Sequence, residues 1–159
     1  MRQALLYILV WAAYCTASSA AEQKSWNKIR YVGGTIPVKP SPYDWNTTLT
    51  VAANSDFIVL VIAPSRMFAP RQTVRIQFSQ VLSLSYGPSA WRRVSEVPGA
   101  QFFSKPPTLF GLMENHGLLG IVYFVDDGKR GAVLLDSYFS WSILSVLETL
   151  TGKQAGRAP

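Results

Sequence analysis

The sequence predicts a mainly β domain of about seven antiparallel strands followed by one C-terminal amphipathic helix. Three observations carry this expectation. Apolar and polar residues alternate over several short stretches, the period of half-buried strands. Clusters of Gly, Pro, Asn and Asp separate those stretches and break any regular element. Beyond residue 138 the apolar spacing changes to three and four residues, the period of a helix face. With 159 residues, 48% of them hydrophobic and 15% charged, the chain supports one domain with a real core. That composition excludes a disordered chain, which needs low hydrophobicity and high net charge.

Residues 1–20 stand outside that domain. Arg2 precedes a nearly unbroken apolar run from Ala4 to Cys15, and Thr16 to Ala21 are small residues, with Ser18 and Ala20 at the positions a signal peptidase reads. Charge, short apolar core and small residues in that order are a secretory signal peptide. The apolar core is about 12 residues, short of the ~20 needed to span a bilayer. Cleavage after Ala20 removes Cys15 and leaves fourteen basic against nine acidic side chains, a formal +5. The mature chain then lacks cysteine, so disulfides, thiolate nucleophiles and zinc–thiolate sites are excluded. The expected location is periplasmic or secreted, with no transmembrane helix after cleavage.

Residues 21–27 read as a flexible lead-in. Lys28–Val32 alternates as a half-buried strand, and Gly33, Gly34, Pro37, Pro40 and Pro42 then interrupt the chain. Thr47–Ala52 alternates again. Asn54-Ser55-Asp56 is a tight turn, and the continuous apolar run Phe57–Ile62 reads as a central strand. Gln72–Phe78 has the cleanest alternation, and Leu82–Tyr86 repeats it. Leu118–Val125 and Gly131–Leu135 flank Asp126-Asp127-Gly128-Lys129, where Asp-Gly between apolar runs is a strong hairpin signal.

Phe139, Ile143, Val146, Leu147 and Leu150 then mark one helix face. Asp136 or Ser137 is placed to cap its first turn, and Gly152 to end it. The tail 153–159 reads as disordered. Residues 28–152 thus form a single domain whose count of strands and final helix matches a pleckstrin-homology-like (PH-like) barrel closed by its helix. An open antiparallel sandwich with a packed helix is the alternative.

Several stretches add a resemblance. Lys28-Ile29-Arg30-Tyr31-Val32-Gly33-Gly34-Thr35, Leu84-Ser85-Tyr86-Gly87, Arg92-Arg93-Val94 and the run from Gly120 to Leu135 resemble a family of uncharacterised secreted bacterial proteins. The resemblance covers roughly residues 28–152 and implies a PH-like barrel without an assigned activity. The chain departs from that family after the paired arginines. Ser95 to Gly99 and Lys105-Pro106-Pro107 interrupt what is elsewhere an apolar, Gly/Ala-rich run.

Catalytic motifs are missing. There is no phosphate-binding Gly-rich loop, no paired metal-binding histidines and no Gly-x-Ser-x-Gly elbow. No metal or cofactor is expected. The single histidine, His116, sits between Asn115 and Gly117 and reads as a turn residue. A small hydrolase using His116 with Asp44, Glu96 and Glu114 is the competing function.

The segment 88–115 is longer than ordinary strand connections and mixes cations with rings. Its Trp91, Arg92, Arg93, Phe102, Phe103, Lys105 and Phe110 are the candidate partner-binding residues, since aromatics and Arg concentrate binding energy at contacts. The alternative is that the segment folds back and packs its rings on the barrel. The basic residues are otherwise scattered, without a basic helix or run, so nucleic acid is not an expected partner. The reading that follows is a noncatalytic binding or scaffolding module of the cell envelope. Its partner would be a protein, a peptide or an anionic envelope surface.

Overall fold

The computed structural model describes residues 23–52, 54–64, 69–102 and 117–156. Its architecture is mainly β and antiparallel, with the expected C-terminal helix. The first four strands are β1 (Gln23–Gly34), β2 (Thr47–Ala52), β3 (Phe57–Ile62) and β4 (Gln72–Gln77). A helical turn, Phe78–Gln80, leads into β5 (Val81–Tyr86). Then come α1 (Pro88–Ser95), β6 (Gln101–Phe102), β7 (Gly117–Phe124), β8 (Arg130–Ser137) and α2 (Ser140–Thr151). The strand order is β4-β3-β2-β1-β8-β7-β5, with β6 paired to β1. β4 and β5 end this path and do not pair with each other, so the expected closed barrel is an open, curled sheet.

β1 joins the two halves of the sheet. Its first part pairs with β2 and its last part, from Arg30, with β8. The pairing shifts register between Trp26 and Ile29, and Lys28 there has φ 55°. An extra residue in one strand bends it and increases its twist, which carries β1 from one half to the other. The strand therefore begins within the expected flexible lead-in, at Gln23, because β2 supplies hydrogen-bonding partners for residues 23–26.

Curling gives the sheet an inner face. Ile29, Leu49, Leu60, Ile76, Leu84, Ile121 and Leu135 fill it, and Ile143, Leu144 and Leu147 of α2 complete the same core. The outward residues of β4 (Thr73, Arg75, Gln77) are exposed, so its sequence alternates. β7 and β8 do not alternate, because both their faces are buried. A second cluster on the outer face explains why: Ala90, Val94 and Val97 pack α1 and the turn after it onto Leu118, Val122, Ala132 and Leu134.

α1 lies inside the segment read as a loop. Gly87 (φ 66°) turns the chain, and Pro88 occupies the first helical position, where its missing N–H costs nothing. The 90–94–97 spacing was a legible helix signal on a stretch masked by its prolines and arginines.

Two smaller expectations also change. Phe139 precedes α2 and is 47% exposed rather than part of its apolar face. Ser137 Oγ accepts the Phe139 N–H at 3.0 Å, while Asp136 is buried elsewhere. In the tail, Lys153 and Gln154 are exposed, but Ala155 and Gly156 are half-buried and held by hydrogen bonds. Ala155 N donates to Glu148 Oε1 at 2.8 Å and Gly156 N to Leu84 O at 3.0 Å on the edge of β5. Ser89 Oγ donates to Gly156 O at 3.0 Å, and the Arg93 guanidinium lies so close that a β-carbon at 156 would meet it. The tail thus satisfies backbone groups that the open edge of β5 would leave bare.

Candidate binding cleft

The connection between β1 and β2 builds one wall of a surface hollow. Leaving β1, Thr35 N donates to Ala132 O and Thr35 Oγ1 accepts from Ala132 N, both at 2.9 Å, which ties the loop's start to β8. Ile36 is buried, and its carbonyl accepts both the Val38 N–H at 2.7 Å and the Tyr31 hydroxyl at 3.4 Å. At the other end Arg30 Nη1 donates to Pro42 O at 3.0 Å. Pro37, Pro40 and Pro42 each lock one φ, so the pinned segment has little freedom left. Across from it β6 pairs with Gly33 and Gly34 at the end of β1. The run 37–43 and the pair Gln101 and Phe102 enclose a cleft of about 760 Å³.

An ion pair and aromatic contacts hold the cleft's outer wall. Arg30 and Asp136 face each other across β1 and β8 and form a salt bridge, with the Asp136 side chain 4% exposed and that of Arg30 24%. The guanidinium also lies 4.7 Å from the Trp45 ring centroid, and Trp45 stacks on Tyr138 at 5.8 Å. Beyond it Trp141 packs on Tyr86 at 4.5 Å. Tyr43, at the rim, is 86% exposed.

Burial raises the pKa of two phenols under this loop. Tyr31 is pushed well above the ordinary tyrosine value mainly by burial, against the small opposing effect of its bond to Ile36. Tyr123 is raised for the same reason, partly offset by its hydrogen bond to Thr35. A raised folded-state value stabilises the fold below the unfolded tyrosine pKa near 10, and that contribution is lost as pH rises through the folded-state value. Stability measured by urea unfolding should therefore fall above about pH 10. Tyr31→Phe should make that fall shallower. Equal slopes for the two proteins would show that Tyr31 does not drive the alkaline loss.

The sequence-selected residues divide. Trp91 and Phe102 stack on each other at 4.5 Å and pack against the outer core, so the fold-back alternative describes these two rings. Phe102 nonetheless keeps one side on the cleft. Arg92 is exposed on α1, and Arg93 covers Gly156. Phe103, Lys105 and Phe110 lie outside the described residues, as do His116 and Glu114. Of the other carboxylates considered for hydrolysis, Asp44 follows the proline run and Glu96 ends α1. Among the described residues no three His, Cys, Asp or Glu side chains are grouped to hold a metal ion. None of the helices there is long and apolar enough to cross a membrane.

The cleft itself was missed in the sequence, where Pro37, Pro40 and Pro42 read only as interruptions. Their close spacing before an exposed Tyr43 was the available signal. Comparison of the chain with known protein families, with characterised proteins and with solved structures found no match. The fold and the cleft together define a small open-sheet β domain with a proline-walled cleft.

Proposed function

We propose that this protein is a noncatalytic binding module of the bacterial cell envelope, exported by its N-terminal signal peptide, and that the cleft between the 37–43 run and β6 is its contact site. The PH-like reading and the resemblance to secreted bacterial proteins belong to the same proposal. The observation that carries it is the cleft's construction. Its walls are fixed by prolines, strand pairing and the Arg30 contacts before any ligand arrives, and preorganisation of this kind lowers the entropic cost of binding. Its volume falls within the usual range for ligand sites, roughly 300–1,000 Å³.

Two measurements test the proposal. Residues 1–27 fused to alkaline phosphatase, whose disulfides form only outside the reducing cytoplasm, should give an active enzyme; an inactive fusion removes the export claim. The purified mature chain should sediment with isolated bacterial envelopes. Gln101→Trp, which fills the cleft from an exposed position, should leave most of it in the supernatant. Equal sedimentation of both proteins overturns the cleft as the contact site.

A further inference from the structure

We infer that the cleft takes an amphiphilic anion, a small organic acid with one carboxylate and an apolar body. This deepens the binding-module reading and rests on it. The chemistry of the lining selects the class. Pro37, Pro40 and Pro42 present saturated rings, and Tyr43 and Phe102 present aromatic ones. Such walls favour an apolar body, whose burial releases ordered water.

The charge is equally specific. Among the described residues that line the cleft, Lys39 is exposed and is the one charged side chain, and none is a carboxylate. Arg30, next to the wall, is engaged by Asp136, the Pro42 carbonyl and the Trp45 ring. The described lining therefore offers a single cation, on a flexible stem, at the edge of an apolar hollow. One positive charge complements one negative charge. A polyphosphate or an inositol phosphate needs several cations, and the lining does not supply them. Gln101 and Ser41 add neutral hydrogen-bonding groups that can meet a carboxylate oxygen. A cationic ligand would meet Lys39 and lose affinity.

Three probes of equal chain length and different head charge test the inference: octanoate, octanol and octylammonium, titrated into the mature protein by isothermal calorimetry or ligand-observed NMR. Octanoate should bind about tenfold more tightly than octylammonium, with octanol between them, as expected for a partly solvated charge contact. Lys39→Gln should bring octanoate to the level of octanol, and Lys39→Glu should reverse the order. Tyr43→Ala, at an exposed position, should weaken all three by a similar factor. Gln101→Trp should abolish octanoate binding while the circular dichroism spectrum stays that of the parent.

Equal affinity for the three probes, an order unchanged by Lys39→Gln, or octanoate binding that survives Gln101→Trp each overturns the inference. Cleft-dependent sedimentation with envelopes that persists when octanoate fails to bind overturns the ligand class and upholds the binding module. Loss of both overturns both.

Discussion

Gly34→Ala should destabilise the protein by about 3 kcal/mol or more, one of the largest effects available to a single methyl group in this chain. Gly34 ends β1 where β8 and β6 flank it, opposite Val133 and Gln101. Its φ is +142°, a conformation that side chains rarely adopt, and an added β-carbon would lie 2.1 Å from the Ala132 carbonyl oxygen. That oxygen accepts the Thr35 N–H, the bond that fixes the start of the proline run. The backbone cannot yield without separating β1 from β8, so both the sheet and the cleft suffer.

Gly128→Ala is the control. It also has a positive φ, +77°, but nothing lies within 4 Å of its added carbon. It should cost only about 1 kcal/mol of backbone strain. Urea unfolding of the two variants compares them directly, and equal losses would mean that the close approach at Gly34 contributes nothing.

The second large effect concerns the Arg30–Asp136 pair. Removing one member of a buried ion pair leaves the other charge without its counterion, typically a loss of about 3–5 kcal/mol. The two halves are unequally buried, with Asp136 almost sealed and Arg30 about one-quarter exposed. Arg30→Met should therefore fall in that range, since it strands the carboxylate. Asp136→Asn should cost less, about 1–3 kcal/mol, because Arg30 still reaches water, Pro42 and Trp45. The double variant Arg30→Met/Asp136→Asn should be more stable than Arg30→Met alone, since no buried charge remains. Strict additivity of the two single losses in a double-mutant cycle would show that the pair is not coupled. Arg30→Met should also weaken octanoate binding, because Pro42 and Trp45 lose the guanidinium that positions them.

Legibility in the sequence followed the number of faces each element buries. β2 to β5 were located closely, because one face meets the core and the other meets water or lies half-covered. α2 was located for the same reason at a different period, although Phe139 was assigned to its face one turn too early. β7 and β8 were recognisable as apolar runs, but what covers their second face was not. The answer, α1, carried its signal in Ala90, Val94 and Val97, which was overridden by Pro88 and the paired arginines. A proline at the first turn of a helix is compatible with it, and the arginines occupy its outer side.

The candidate site was legible only in fragments. Phe102 was selected for its ring and does line the cleft, yet it shares that ring with Trp91 in an outer core. Lys39 stands among the prolines of the first connection, and nothing local in the sequence connects it with Gln101 and Phe102, sixty residues away. Arg30 and Asp136 were separately visible as a strand residue and a possible helix cap. Their pairing follows from the register of β1 on β8, which alternation alone does not specify.

By itself, then, the sequence determined the class of the fold. Periodicity is local, so it records which residues face the core, where turns interrupt them and where a helix begins. It also carried the leader-like N-terminus and the poverty of catalytic motifs. The tertiary structure alone decided that the sheet stays open between β4 and β5, that the tail caps the edge of β5, and that β6 comes to lie beside the end of β1. Those outcomes depend on pairings between distant segments, which local periodicity does not record. The cleft exists because the bent strand β1 brings a rigid proline run and one aromatic residue of a remote segment to face each other.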